Sequence, residues 1–361
     1  MYWAIEMKVA VIGGGINGVM TAWALALKGM SVDLFEQGRL MGATSSASTK
    51  LLHGGLRYLE HGHLRLVREA LHERQWWMIR APHLAKPIRI MLPIYKNSGK
   101  PAWVVRVGLT LYDRLAGRAS LGDWGWRSRE EMLSACAGFR SEGLQGAFSF
   151  YDGQMDDYAL GLWAAGKARE AGVTIHTETK VTSLSQDAVL AANGHQHRYD
   201  RIVNAAGPWA KQLLDASNIP SVHNLDLVRG SHLLIDCDCE CALLVQSPSD
   251  GRICFILPYH GKTLVGTTEV RQELNEPVSC SAAEASYLQE LFGYYFPKRN
   301  QKVCESFAGL RSLIRSNANP NKATREYVIE KSGKIVNVFG GKWTTARALG
   351  LRVADIVTSS R

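Results

Sequence analysis

Nowhere in the 361 residues is there the uncharged apolar run, about eighteen residues long, that a membrane-crossing helix needs. The N-terminus has no basic flank ahead of an apolar core and cleavage site. Its first apolar stretch, Val9-Ala10-Val11-Ile12, runs straight into glycines, so no signal peptide is expected. Internal repeats, low-complexity segments and an obvious linker are also missing. Acids are in short supply: 33 Asp and Glu face 42 Lys and Arg, a net charge of +9. The seven cysteines form no even-numbered framework. A chain with 46% hydrophobic residues can bury a large core without disulfides, and the odd count suits a reducing cytoplasm. Cys136, Cys254, Cys280 and Cys304 are isolated. Cys237, Cys239 and Cys241 lie between apolar runs at 233–235 and 242–245, which reads as a strand end or turn, and no metal site is expected.

What is present reads as an α/β protein. Residues 8–36 follow a β-α-β pattern: a β-branched run at Lys8–Ile12, helical spacing over 17–29, and a second strand at Ser31–Phe35. Between about 75 and 150 the pattern turns irregular and rich in tryptophan. A helix is expected over 159–171 and a strand over 173–177. Further strands are expected at 201–205, 231–235, 252–256, 263–266 and 335–339, then a closing helix over 344–356. This order implies a Rossmann-type α/β domain with an inserted, strand-rich α+β domain. The first is assigned residues 1–75, 150–225 and 326–361; the second, 76–149 and 226–325.

Gly13-Gly14-Gly15-Ile16-Asn17-Gly18 matches the G-x-G-x-x-G pattern, with a strand before it and a helix after it. Gly13 permits the tight turn. Gly15 lets a pyrophosphate approach the backbone at the helix N-terminus, and Gly18 lets helix and sheet pack closely. Glu36, at the end of the second strand, is placed to accept hydrogen bonds from ribose hydroxyls. The acid does not decide between NAD and FAD. A second glycine–helix junction at Phe339-Gly340-Gly341-Lys342-Trp343-Thr344 favours FAD, because a helix N-terminus there could face a flavin and stabilise the charge it gains on reduction.

The segment Ala43-Thr44-Ser45-Ser46-Ala47-Ser48-Thr49-Lys50-Leu51-Leu52-His53-Gly54-Gly55-Leu56-Arg57-Tyr58 resembles the FAD-dependent glycerol-3-phosphate dehydrogenases of the glycine oxidase/D-amino-acid oxidase superfamily. The likeness continues through Arg229-Gly230-Ser231-His232, Gly266-Thr267-Thr268-Glu269, Gly309-Leu310-Arg311 and Phe339-Gly340-Gly341-Lys342. The resemblance implies non-covalent FAD. It implies that the stretch from Thr44 to Thr49, with Ser45, Ser46 and Ser48, and Lys50 beside it, lines the flavin. It further implies that Val181 meets the adenine side and that Ala206 and Gly207 pass the middle of the cofactor, with Asn17, Gly340, Gly341, Lys342 and Thr344 also on it. Over the flavin it implies a substrate pocket of His53, Arg57, Tyr58, His232, Arg311, Lys342 and Thr344. Residue chemistry agrees: arginines grip a phosphomonoester in fork geometry, and a histidine can take the proton of an alcohol. His232 is the preferred base and His53 the second. Arg57, Tyr58 and Arg311 are the phosphate candidates, and Arg311 could instead stabilise an alkoxide.

The expected activity is oxidation of the secondary alcohol of sn-glycerol 3-phosphate, or a related phosphorylated or phosphonate alcohol, by hydride transfer to flavin N5. Quinone or O2 would be the electron acceptor. Two alternatives stand beside it: an oxidase of a 2-hydroxy acid or amine, and a non-catalytic flavin-binding protein. The chain departs from the family in lacking the proline after Arg311 and in having Ile314-Arg315-Ser316-Asn317 where acids are usual, which predicts a locally different pocket. The family continues into a helical C-terminal domain, and the chain reads as a short form without it. Eleven Lys and Arg against two acids lie between Arg74 and Arg129, among Trp76, Trp77, Trp103, Trp124 and Trp126. That mixture suits peripheral contact with an anionic membrane, on its cytoplasmic face. A solvated face over an aromatic core accounts for it more simply, and nucleic acid is not expected as a partner.

Overall fold

Alternation along the first strand decides how the N-terminal unit is built. Val9 and Val11 of Lys8–Ile12 enter one apolar cluster, while Ala10 and Ile12 enter another on the opposite face. A strand apolar on both sides must be sandwiched, and parallel sheets are. In the computed structural model, which describes residues 7–96, 101–315 and 327–359, this strand is central in a six-stranded sheet. The order is Tyr327–Ser332, Ile335–Gly340, Arg201–Asn204, Lys8–Ile12, Ser31–Phe35, Thr174–His176. All neighbours are parallel except the first pair, a hairpin at the edge.

Eight α-helices occur among the described residues: α1 Ile16–Leu27, α2 Leu64–Arg80, α3 Ala102–Ala116, α4 Arg129–Ala135, α5 Asp157–Glu170, α6 Ala210–Ala216, α7 Ala282–Tyr295 and α8 Ala346–Thr358. Helices α1, α5 and α8 bury their apolar faces with Val9 and Val11. The other face is covered by α6 and a small sheet of Val181–Leu184, Ala188–Ala191 and Gln196–Arg198.

The second sheet has ten strands. Leu225–Ile235 pairs with Val303–Ile314 and Lys262–Gly266, followed by Ile253–Tyr259, Ala242–Gln246, Ala85–Tyr95, Leu144–Met155 and Leu51–Leu52. Helices α2 and α3 pack on one face and α4 and α7 on the other. The region expected to be irregular is regular: α3, α4 and the eleven- and twelve-residue strands Ala85–Tyr95 and Leu144–Met155 fall within it. Pro87 and Pro93 break the first strand's pattern, yet it still pairs with Leu144–Met155 along its whole length. Thus α/β with an inserted strand-rich unit is the architecture.

The cysteine expectation is corrected. Cys136, at the end of α4, and Cys241, ahead of Ala242–Gln246, are joined by a disulfide within one apolar cluster. Cys237 and Cys239 are free, in the turn after Leu225–Ile235. The departure at Ser316 and Asn317 lies outside the described residues. No helix of the described residues is long and apolar enough to cross a membrane.

Candidate functional site

Three loops meet over the C-terminal ends of the parallel strands, where open α/β sheets hold ligands. The first is the glycine turn. Gly13 has φ +110° and its N–H donates to the Phe35 carbonyl at 2.8 Å; a Cβ there would meet the Ala205 carbonyl oxygen at 2.4 Å. At Gly18 a Cβ would lie 1.9 Å from the Gly13 oxygen, so α1 enters the sheet too closely for any side chain. Gly15 caps α1 with no side-chain bond, and its Cβ would find only Ser45 Oγ, at 3.1 Å. It faces open space.

The second loop, 43–50, and the third, 340–344, are tied to the first. Ile16 N–H donates to Ser45 Oγ (3.0 Å), Trp343 Nε1–H donates to the Ser45 carbonyl (2.8 Å), and Asn17 Nδ2 donates to the Gly340 carbonyl (3.1 Å). Gly340 and Gly341 both have positive φ, and a Cβ on Gly341 would strike Asn17 Nδ2 at 2.4 Å. Thr44 Oγ1 donates to the Leu310 carbonyl at 2.7 Å, joining this cradle to the second sheet.

Between the loops runs a cavity of about 1170 Å³. That exceeds the roughly 300–1,000 Å³ of ordinary small-ligand clefts. At one end its wall includes Glu36, Val181, Ala206, Gly207 and Trp209. Glu36 accepts from Gly14 N–H (2.6 Å) and Gly38 N–H (2.9 Å), one bond on each carboxylate oxygen, leaving a lone pair on each. The residues fit the expected dinucleotide. A wall without side chains at Gly15 and a helix start whose N-cap residue lends no side chain together suit a large ligand carrying a diphosphate.

At the other end the wall includes His53, Arg57, Tyr58, Arg311 and Lys342. Lys342 Nζ lies 3.8 Å from the centre of the Tyr58 ring, a cation–π contact. Arg311 Nη2 donates to the Thr268 carbonyl (2.8 Å) and Nη1 approaches Glu269 Oε1 (3.4 Å). Arg252 donates to the other Glu269 oxygen at 2.7 Å. One carboxylate therefore holds two guanidinium groups side by side. His53 sits below its ordinary pKa chiefly through burial. Asp152 pulls it back up, while Lys342 and Arg74 push with burial. A neutral imidazole thus faces a cationic pocket.

Several sequence-predicted residues stand elsewhere. His232 is buried outside the cavity wall, its Nε2 2.9 Å from Thr49 Oγ1 and its ring stacked 4.9 Å from Phe307. Burial, with the charges of Arg311 and Lys50, pushes its pKa down to about 3, and Nδ1 has no partner. Thr49, not His232, reaches the cavity. Thr344 is buried behind the wall, where its Oγ1 accepts from His53 N–H at 3.2 Å. Ser46, Ser48 and Lys50 also leave the wall. Ser48 N–H and Oγ donate to Asp157 Oδ2 (3.0 and 2.7 Å), and Lys50 Nζ donates to Asp157 Oδ1 (2.6 Å) and the Ser46 carbonyl (2.8 Å). The cause is the fully buried Asp157, whose carboxylate takes these bonds from Ser48 and Lys50. Sequence reasoning missed Arg252, Glu269, Asp152 and Trp209 as wall residues. The motif around Glu269 was visible, but its pairing with two arginines needs the folded sheet.

The sequence signature of the family described as FAD dependent oxidoreductase covers residues 8–356. Glycerol-3-phosphate dehydrogenase of Pseudomonas tolaasii is 39% identical over 362 residues, spanning 94% of this chain and 69% of that protein. D-erythritol 1-phosphate dehydrogenase of Brucella abortus is also 39% identical, over 95% of this chain and 72% of that one. Among solved structures, glycerol-3-phosphate dehydrogenase from Bacillus halodurans complexed with FAD superposes with a TM-score of 0.77 at 26% identity. It covers 99% of this chain, which spans 65% of that protein.

Proposed function

Because the chain belongs to the FAD-dependent oxidoreductase family, we propose that it oxidises the secondary alcohol of a short polyol monophosphate, with sn-glycerol 3-phosphate the first candidate. Relatives of equal identity are named for glycerol 3-phosphate and for D-erythritol 1-phosphate, so the proposal is a class of substrate. The observation that carries it is the sharing of one cavity by His53, Arg57, Arg311 and Lys342. Three cations around one neutral base suit a dianion that must lose a proton.

Gly13, Gly15 and the start of α1 would hold the FAD diphosphate, Glu36 the ribose, and Val181 the adenine side. Gly340, Gly341 and Lys342 would hold the flavin. FAD, when bound, supplies the acceptor for the hydride. The chain does the rest. Arg311, fixed by Glu269 and the Thr268 carbonyl, would bind phosphate with Arg57. Lys342 is held over Tyr58, where its ammonium can serve the phosphate or the flavin edge. His53 would take the hydroxyl proton, which its lowered pKa permits near neutral pH.

Quinone or O2 would reoxidise the protein. Peripheral binding to the cytoplasmic face of an anionic membrane is the accompanying reading. It is supported by α3, whose outer face carries Trp103 (68% exposed), Val107 (58% exposed) and the exposed Arg106 and Arg114.

The deciding experiment is anaerobic bleaching of the flavin absorbance by a panel of small alcohols. Polyol phosphates should bleach it and unphosphorylated polyols should not. Bleaching by 2-hydroxy acids or amines instead, or by none of the panel, would overturn the proposal.

A further inference from the structure

Behind the cavity wall, the two residues His53 and Gly54 are fastened from opposite sides. His53 N–H donates to Thr344 Oγ1. Gly54 N–H points at Tyr112 Oη (2.8 Å) and Asp152 Oδ1 (3.3 Å). Tyr112 Oη–H donates in turn to the Asp152 carboxylate, 2.8 and 3.0 Å from its two oxygens. Arg74 Nη1 donates to Asp152 Oδ1 at 2.8 Å and to the Tyr151 carbonyl, and Nη2 to the Ala119 carbonyl. Arg74, Tyr112 and Asp152 are 1%, 1% and 3% exposed.

A buried ion pair is an inefficient way to fill a core, since apolar side chains of similar volume do so without desolvating charge. This one ends at the cavity. Asp152 contributes to the same wall as His53, and no room is spare between them and the helices: a Cβ on Gly54 would meet Leu71 Cδ2 at 2.5 Å and Tyr112 Oη at 2.6 Å.

We propose that Asp152 is a positioning residue for His53: clamped by Arg74 and Tyr112, it fixes the backbone that carries the imidazole and sets a carboxylate in the same cavity wall. The inference rests on the reading of His53 as the proton acceptor. The charged groups that act on His53 come from three elements: Asp152 from Leu144–Met155, Arg74 from α2, and Lys342 from the turn after Ile335–Gly340, while Tyr112 from α3 reaches the neighbouring Gly54 N–H and Asp152. Asp152 favours the protonated ring; Lys342 and Arg74 oppose it, each less strongly than Asp152 acts. Tyr112 stays protonated because burial and Asp152 raise its pKa well above 10. As the imidazole gains the substrate proton, the carboxylate is already in place to stabilise the cation.

The test uses the FAD-loaded protein with Asp152→Asn, which keeps the shape and removes the charge. Two readouts are taken: the acidic limb of kcat/KM against pH, and the NMR titration of the His53 ring, assigned with His53→Gln. Both midpoints should fall by about one unit or more, the size expected for losing an adjacent opposite charge. Tyr112→Phe keeps the charge and loosens the backbone, so it should lower kcat and leave the limb where it was. If Asp152→Asn alone fails to fold, Asp152→Asn with Arg74→Gln removes both charges. The midpoints should still fall, because the carboxylate acts on His53 more strongly than the guanidinium does. Unmoved midpoints in either variant would overturn the proposal. Should His53→Gln turn over normally, the proton-acceptor reading falls, while the NMR midpoint still decides whether Asp152 acts on the ring.

Discussion

Gly15→Ala separates the fold from the cofactor site. Gly15 has φ −75° and ψ 174°, extended backbone that alanine adopts without strain. The added Cβ would meet only Ser45 Oγ, at 3.1 Å, a contact a hydroxyl can relieve by turning. The cost to the FAD-free protein is therefore limited to the preference of a helix N-cap for glycine over alanine, about 1 kcal/mol or less. The methyl group would stand where the diphosphate must approach. Forcing one methyl into a filled site costs about 1–3 kcal/mol, which raises the FAD Kd by roughly 5- to 150-fold. Gly18→Ala is the contrast. Its Cβ would lie 1.9 Å from the Gly13 carbonyl oxygen, where ordinary contact begins at 3.4 Å, and the atom it meets is backbone that cannot turn aside. Helix α1 would have to retreat, so stability should fall even without cofactor. The assays are fluorescence titration of FAD-free protein with FAD and urea unfolding in its absence. A Gly15→Ala protein that binds FAD within twofold of the parent would show that no diphosphate lies over this turn.

Arg311→Ala should raise KM for a polyol phosphate about tenfold, reflecting the ~1.5 kcal/mol of one charge-assisted bond. Steady-state kinetics with no change in KM would remove Arg311 from the phosphate site. His232 has a native pKa of about 3 against an ordinary 6.5, so the unfolded chain binds its proton first and stability falls as pH drops below 6.5. From pH 6.5 to 5 the parent should lose about 1.6 kcal/mol that His232→Gln does not lose, read from urea midpoints; parallel losses in both proteins would refute the buried neutral histidine. Anionic liposomes should sediment the protein at low salt and less at high salt, and Trp103→Ser should weaken the effect. Equal binding to neutral liposomes, or none to either, would leave the α3 face as plain solvated surface.

Local order was legible and direction was not. The Rossmann turn could be read because its glycines, strand and acid lie within thirty residues and each answers a backbone demand: Gly13 for positive φ, Gly18 for close approach. Val303–Ile314 gave no such signal. Its residues are nearly all partly exposed, with no alternation, because its place is fixed by pairing with Leu225–Ile235 across the sheet. Ala85–Tyr95 was hidden by its prolines. At the site, His232 carries the right chemistry for a base, but whether a histidine on a strand meets ligand or core depends on the neighbouring strand. There Gly266 makes room for the ring: a Cβ on it would lie 2.1 Å from His232 Cδ2. Asp152 and Glu269 were missed for the opposite reason, since their partners Arg74, Arg252 and Arg311 are distant in sequence.

The polar run from Thr44 to Lys50 shows why a ligand loop cannot consist of ligand contacts alone. Thr44, Ser45 and Thr49 face the cavity, while Ser46, Ser48 and Lys50 turn the other way. Lys50 has φ +60°, a left-handed conformation that costs a non-glycine residue about 1–3 kcal/mol and persists only where surroundings enforce it. Here they do: its ammonium is buried, bonded to Asp157 and the Ser46 carbonyl, and lies 4.8 Å from the Phe307 ring. Asp157 belongs to α5, beneath the first sheet, and Phe307 to the second. The side chain that bends the loop is therefore the one that joins the two sheets, and Thr49 stays in the cavity wall with its hydroxyl bonded to the buried His232 ring. Residues of the type expected on the cofactor are spent on rigidity, and the cavity is left lined by backbone and by the few side chains whose chemistry it needs.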